Sequence, residues 1–388
     1  MRLLLGLAGL LAAITTTAAA QPRTVAPEVL ALIQDDDPYP LPRGLSTEER
    51  NHWRLPDTSR LPYAPPPGRV RAQAEYEDNS GILVRWGSQN ALLTQMTVAI
   101  TTGDSDAVVY IVTTGTSQQN SAAATLAGAG ADMDQVRFVS QACSSGCSVW
   151  MRDYGPRFIE SNGRRGAVDH VYNRPRPVDD AFPSVWATYS GEPKYDIPLT
   201  HGGGNFHLFR NRDAFMTRLI ANENPGLSEQ QIKDYYRDYQ GLDLTLTDPF
   251  PASYDSTQHI DMWMLPLADG KVLISQHAST DGVPYTVTED TAAQMAGRGY
   301  TVYRTPAWRS GGAHYTYANA VLLNKVALVC QFNGYPTQNA AALATFQSAL
   351  PERSVVGVDC SGIIGSAGAI HCIVMHVPDL LFRDDLEQ

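Results

Sequence analysis

Three short stretches of the sequence bring reactive side-chain types together. Trp150-Met151-Arg152-Asp153-Tyr154-Gly155-Pro156 places a carboxylate just before a Gly-Pro pair, which forces a turn and fixes the acid in space. His259-Ile260-Asp261 sets an imidazole and a carboxylate two residues apart. On a strand the two share a face, which suits a proton shuttle beside a cation-binding carboxylate. Gly368-Ala369-Ile370-His371-Cys372-Ile373-Val374-Met375 leads through small residues to a thiol at the expected start of an apolar strand, a candidate nucleophile. Each has an ordinary counterpart: an ion-paired strand end, a surface His-Asp pair, an inert buried Cys. Two further stretches bear on binding. Gly202-Gly203-Gly204-Asn205 lacks the Lys of a phosphate-binding loop and reads as a tight turn lining a pocket, with the flanking His201 and His207 structural. Asn173-Arg174-Pro175-Arg176-Pro177 offers two guanidinium forks from one stiff loop, for a substrate carboxylate or simply for solvent. Cys143-Ser144-Ser145-Gly146-Cys147 has no second Cys or His pair at zinc spacing, His259 and Asp261 would need a third ligand from elsewhere, and the glycine run lacks dinucleotide spacing, so neither a metal nor an organic cofactor is expected.

The elements that must position these residues repeat along the chain. Arg157–Glu160 and Ala167–Tyr172 flank an Asn162-Gly163 turn; Met262–Leu267 and Lys271–Ser275 flank Asp269-Gly270; Asn319–Leu323 and Val326–Gln331 flank Asn324-Lys325. Each pair reads as a hairpin. Helical stretches are expected at 117–129, 228–239, 288–296 and 339–350, the second opened by a Ser-x-x-Gln capping pattern. Asp153, Asn205, His259, Asn319 and Cys372 stand at or just before the hairpins, separated by 52, 54, 60 and 53 residues. One strand-and-helix unit recurring at this period would gather all five residues at one mouth if the units closed into a ring.

The 388 residues carry 40 Asp+Glu against 29 Lys+Arg, a formal charge of -11, which argues against a protein that covers nucleic-acid phosphates. Residues 1–20 have the basic start, short apolar run and Ala-Ala-Ala end of a cleavable secretory signal, cut near Ala20-Gln21. No later run is long enough to span a membrane, so a secreted or periplasmic protein without stable membrane insertion is expected. Residues 21–70 form a Pro-rich arm, extended or loose, with regular structure beginning near Gly81 and a catalytic domain over 71–388. Export permits disulfides. Of the five Cys, Cys143 with Cys147 and Cys330 with Cys360 are the expected pairs, which leaves Cys372 free.

Taken together, W-M-R-D-x-G-P, G-G-N, H-I-D, the Asn-bearing hairpin and I-H-C resemble the guanidino-group-modifying superfamily, and within it the Porphyromonas-type peptidylarginine deiminases, over about residues 81–378. The resemblance implies the α/β pentein fold, a five-bladed propeller of ββαβ-type repeats with pseudo-fivefold symmetry. It implies Cys372 as nucleophile, His259 as general acid/base, Asp153 and Asp261 as the carboxylates that hold a guanidinium, and Asn319 as the family's polar residue on the fourth hairpin. Arg174 and Arg176 match a loop that grips the α-carboxylate of a C-terminal arginine. Trp150 matches a wall of the side-chain slot, with Arg152, Gly204 and Asn205 as further substrate-binding candidates. Agmatine deiminases carry G-G-x-x-x-x-D-G where this chain runs Gly203-Gly204-Asn205-Phe206-His207-Leu208-Phe209-Arg210.

The implied activity is hydrolysis of arginine in peptide or protein substrates to citrulline and ammonia through a covalent thiouronium on Cys372. Agmatine or free arginine is the alternative substrate. A thiol protease using Cys372 and His259 is disfavoured, because acyl transfer wants oxyanion donors rather than two carboxylates. A non-catalytic guanidinium or peptide binder on the same fold is the alternative of another class. The sequence leaves the oligomeric state open.

Overall fold

The computed structural model describes residues 41–56, 58 and 61–379. The expected signal segment and residues 21–40 of the arm lie outside these residues. Regular structure begins earlier than the expected Gly81. A helix at Thr47–His52 is opened by a capping box in which Ser46 and Glu49 satisfy each other's backbone N–H groups.

The strands, in chain order, are β1 (Val70–Ala72), β2 (Asn79–Arg85), β3 (Val108–Thr113), β4 (Val136–Ser140), β5 (Arg157–Ser161), β6 (Arg164–Tyr172) and β7 (Lys194–His201). They continue with β8 (His207–Leu208), β9 (Asp213–Thr217), β10 (Asp243–Thr247), β11 (Met264–Ala268), β12 (Lys271–Gln276), β13 (Thr301–Ser310) and β14 (Ala313–Thr316). The last four are β15 (Val321–Leu322), β16 (Val326–Gln331), β17 (Ser354–Asp359) and β18 (Met375–Pro378). They form five sheets, ordered β1-β5-β6-β7, β10-β9-β8, β11-β12-β13-β14, β15-β16-β17 and β18-β2-β3-β4. One unit recurs in all five: an antiparallel pair whose second strand takes a parallel neighbour. Helical crossovers connect the parallel strands, as such connections require. The fifth unit joins β18, at the end of the described chain, to β2, near its start.

Local sequence explains these elements. Asn162 and Gly163 both take positive φ, 51° and 69°, which gives the tight turn between β5 and β6. β16 reads Val-Ala-Leu-Val-Cys-Gln and is buried almost throughout, as a central strand covered on both faces must be. The helix Pro336–Ala349 starts on a Pro at its first position, where the missing N–H costs nothing. The helix Glu229–Gln240 is opened by Ser228 and Gln231 and stopped by Gly241 at φ 71°. Both expected disulfides are present, Cys143–Cys147 and Cys330–Cys360, and Cys372 is free and buried. Among the described residues no helix is long and apolar enough to cross a membrane.

Candidate active site

The five units deliver Asp153, Gly204, His259 with Asp261, Asn319 and Cys372 to one place. The four ionisable residues and Asn319 are buried, none more than 1% exposed. An arginine of the chain's own arm, Arg43, fills the space between them and is itself fully buried. Its Nε donates to Asp153 Oδ2 at 2.9 Å and its Nη2 to Asp153 Oδ1 at 3.0 Å, a bidentate fork. The same Nη2 lies 3.0 Å from Asp261 Oδ2 and 2.6 Å from His259 Nδ1.

Asp153 sits on a single helical turn, Met151–Tyr154. Gly155 ends that turn, and a side chain there would strike the Met151 carbonyl at 2.5 Å. His259 follows Gln258, a non-glycine residue at φ 58°, and precedes a 3-10 turn at Ile260–Met262. The expected strand alternation therefore does not hold for His259 and Asp261. His259 is extended and Asp261 lies in the 3-10 turn, and the change of backbone between them brings both side chains onto Arg43. Cys372 likewise lies in a 3-10 turn, His371–Ile373, three residues before β18 begins rather than at its start. Small residues make room for this crowding. A Cβ on Gly202 would sit 2.6 Å from His259 Cε1, one on Gly203 2.3 Å from the Arg152 carbonyl, and one on Gly204 1.7 Å from Arg43 Nη2.

Asn319 clamps the nucleophile turn. Its Oδ1 accepts from the backbone N–H of His371 at 3.0 Å and its Nδ2 lies 3.1 Å from Cys372 Sγ. Ala369 N–H also points at the sulfur, at 3.4 Å. Behind Asp261, His371 bonds the carboxylate through Nδ1 at 2.8 Å and Glu75 through Nε2 at 2.8 Å. Glu75, His207 and His371 bring donor atoms within 4.8 Å of one another, but His371 is already held by the two carboxylates.

Burial disfavours charge on Asp153 and Asp261, yet the Arg43 guanidinium outweighs it, helped by His259 at Asp153 and by His371 at Asp261. Both carboxyls are held well below the usual range. Burial and the nearby Arg43 lower His259, which favours the neutral imidazole, while Asp153 and Asp261 oppose them. Burial pushes the Cys372 thiol up, and Asp261 and Asp153 add to that, while Arg43 opposes it. With a cation in place these shifts favour two carboxylates, a neutral imidazole and a thiol.

Other candidates fall in different places. Trp150 donates from Nε1 to the Leu41 carbonyl at 2.7 Å, and its ring edge lies 2.6 Å from where a Cβ on Gly368 would stand, so it walls the slot. Arg174 Nε donates to the Arg43 carbonyl at 3.3 Å. Arg176 Nη2 donates to the carbonyls of Pro42 and Gly44, and its fork closes on the Glu49 carboxylate at 2.6 and 2.9 Å. Two expectations are corrected. Asn205 does not face the slot; its side chain bonds both backbone groups of Thr217 and ties the glycine turn to β9. Arg152 points the other way, pairing with Glu75 and donating to the His371 carbonyl at 3.2 Å, so it supports the site from behind. His201 is buried against His170, their rings 3.9 Å apart and stacked. His207 is buried as well, beside His371. Arg43, Glu75 and the role of His371 were not legible in the sequence. His371 stood inside the quoted I-H-C motif without a partner, and nothing in Leu41-Pro42-Arg43-Gly44 marks a residue bound for the centre.

Known proteins share this architecture. The sequence profile of Porphyromonas-type peptidyl-arginine deiminase matches residues 71–378. A Legionella pneumophila (strain Philadelphia 1) protein bearing an agmatine deiminase name is 26% identical over 251 residues, 59% of this chain and 72% of that one. Among solved structures, the agmatine deiminase of Enterococcus faecalis superposes with a TM-score of 0.70 at 18% identity, over 82% of this chain and 99% of its own. The C. jejuni agmatine deiminase gives 0.68 at 16% identity, over 80% and 96%. These likenesses establish the pentein fold, and with the match over residues 71–378 they place the chain in the Porphyromonas-type peptidyl-arginine deiminase family, whose members act on guanidino C–N bonds.

Proposed function

We propose that the protein is a peptidyl-arginine deiminase, hydrolysing arginine side chains in peptides to citrulline and ammonia. One observation carries this reading: a peptidyl arginine, Arg43, already lies among Asp153, Asp261, His259 and Cys372, with its own carbonyl on Arg174. Asp153 and Asp261 hold a planar cation and keep it electrophilic. Cys372 gives up its proton to the neutral His259 imidazole, and the thiolate attacks the guanidinium carbon. His259 then protonates the departing nitrogen, for which Nη2 is placed, and ammonia leaves. His259 next takes a proton from water. The hydroxide adds to the thiouronium, the S–C bond breaks, and citrulline and the thiol are restored.

Arg174 faces the Arg43 carbonyl oxygen, the place one carboxylate oxygen of a C-terminal arginine would take, which supports a preference for that end. Agmatine has no such oxygen. It remains the second reading because the compared Enterococcus and C. jejuni structures are agmatine deiminases. The disulfides support an oxidising, extracytoplasmic location and with it the signal segment. The test is citrulline formation from peptides with C-terminal or internal arginine, with agmatine alongside. It is run on the whole chain, on Arg43→Ala, which vacates the slot, and on a Cys372→Ala control. Arginine peptides are expected to turn over where Arg43→Ala has vacated the slot, and Cys372→Ala to abolish it. Agmatine far outpacing every peptide would overturn the peptidyl reading. Arg174→Ala is expected to raise KM about tenfold for a free C-terminal arginine and little for its amide, as the loss of one charge-assisted bond predicts. Equal effects on both would remove the carboxylate role.

A further inference from the structure

We propose that the arm around Arg43 is a tethered pseudosubstrate that shuts the active site until it is displaced. The proposal rests on the deiminase reading for what is excluded, but the occupancy stands on geometry alone. Arg43 takes both carboxylates and the imidazole, and with the arm in place Cys372, His259 and Asp261 expose 1% of their surface or less. A free guanidine has no path to a cation site that is already neutralised and covered.

The arm is held by more than its guanidinium. Arg43 N–H donates to the Ser366 carbonyl at 3.0 Å. Trp150, Arg174 and Arg176 bind the carbonyls of Leu41, Pro42, Arg43 and Gly44 in turn. Glu49 then locks Arg176, and Trp53 Nε1 donates to the Asn173 carbonyl at 2.9 Å. The paired-arginine loop is thus spent on the arm: the groups suited to a substrate's backbone and carboxylate find a backbone and a carboxylate supplied in cis. The arm belongs to the same chain, so its effective concentration at the site is of millimolar order and an ordinary substrate must compete with that. Loss of the arm would release both the slot and the two arginines.

The test reads access to Cys372 rather than turnover. A small thiol alkylator bearing an amidinium group is applied to the full chain and to Arg43→Ala, with the labelled residue located by peptide mass. Because Arg43→Ala takes from two buried carboxylates the guanidinium they share and can misfold, a second form keeps Arg43. It carries a specific protease site inserted after Pro62, where residues 62–64 are exposed, and is labelled after cleavage and dilution. Labelling is expected to be about tenfold faster or more in either form, as loss of a tethered competitor requires. An unchanged rate in both would overturn the proposal. So would an Arg43 found wholly converted to citrulline in the native chain, since a neutral side chain could not hold the carboxylates. Faster labelling without ammonia release from any guanidine would leave the pseudosubstrate standing and remove the deiminase reading instead.

Discussion

At the scale of single residues, the site is a contest over the charge of one sulfur. Burial, Asp261 and Asp153 all raise the Cys372 thiol, and the facing guanidinium lowers it. The substrate's own cation is therefore part of what creates the nucleophile, which keeps an empty site from reacting with passing electrophiles. This has a sign that can be measured. In the Arg43→Ala chain, alkylation of Cys372 by neutral iodoacetamide should rise about tenfold per pH unit between pH 7 and 9, because only the thiolate reacts and its population grows until the raised value is passed. A plateau across that window would contradict the assignment. Asp261→Asn removes a like charge 3.7 Å from the sulfur. It should shift the alkylation profile to lower pH while lowering kcat/KM for arginine peptides at least a hundredfold, since the guanidinium loses one of its two carboxylates. A loss of both rates together would point to a collapsed site.

At the scale of elements, the sequence spoke clearly wherever a pattern was local. The Asn-Gly turn of β5-β6, the Ser-x-x-Gln start of the helix Glu229–Gln240 and the apolar run of β16 each depend on neighbours a few residues away. Expectations failed where long-range packing decides the backbone. His259-Ile260-Asp261 looks like a strand, but the chain bends there at Gln258 to bring both side chains to Arg43. Asn205 kept the spacing of the other polar residues yet turned to bind Thr217. The glycine turn separates the two kinds of requirement. Gly204→Ala would place a Cβ 2.8 Å from Asp153 Oδ1 and 2.9 Å from Asp261 Oδ2, in the seat of the guanidinium. It is expected to lower kcat/KM at least a hundredfold with the fold retained. Gly163 is at φ 69° with open space beside it. Gly163→Ala should cost about 1 kcal/mol of stability through backbone strain alone and leave turnover unchanged. Equal loss of activity in the two variants would refute the distinction.

At the scale of the whole molecule, five copies of one unit each contribute one part of a cation site. Asp153, His259, Asn319 and Cys372 lie 106, 60 and 53 residues apart, two units and then one each, and that period made the convergence legible before any fold was known. The arm could not be read the same way, because Arg43 acts through a contact 110 residues away in sequence from Asp153 and 218 from Asp261. No local pattern reports such a pairing. The same long-range packing sets how stability responds to acid and base. Asp153, Asp261 and Glu75 are held low by their cationic partners, so their contribution is present above the unfolded carboxylate value near ~4 and is lost as the pH falls below it. Burial raises others in the opposite sense: Asp179 to about 6, Asp169 to about 7 and Glu223 to about 7. Each of these favours the fold when protonated, fully so below ~4, and that contribution is lost as pH rises through the folded value. The protein should therefore be most stable near pH 5 and lose melting temperature toward pH 8. Glu223 offers the cleanest test, because one of its carboxylate oxygens is buried without a partner among the described residues while Asn173 serves the other. Glu223→Gln removes the titration, so its gain over the native chain should be larger at pH 8 than at pH 5, by on the order of 2 kcal/mol if the full two-unit interval is realised. Thermal melts of both proteins across pH 4–9 decide it: a difference that does not grow with pH would show that the Glu223 carboxyl is already ionised at pH 5 within the fold.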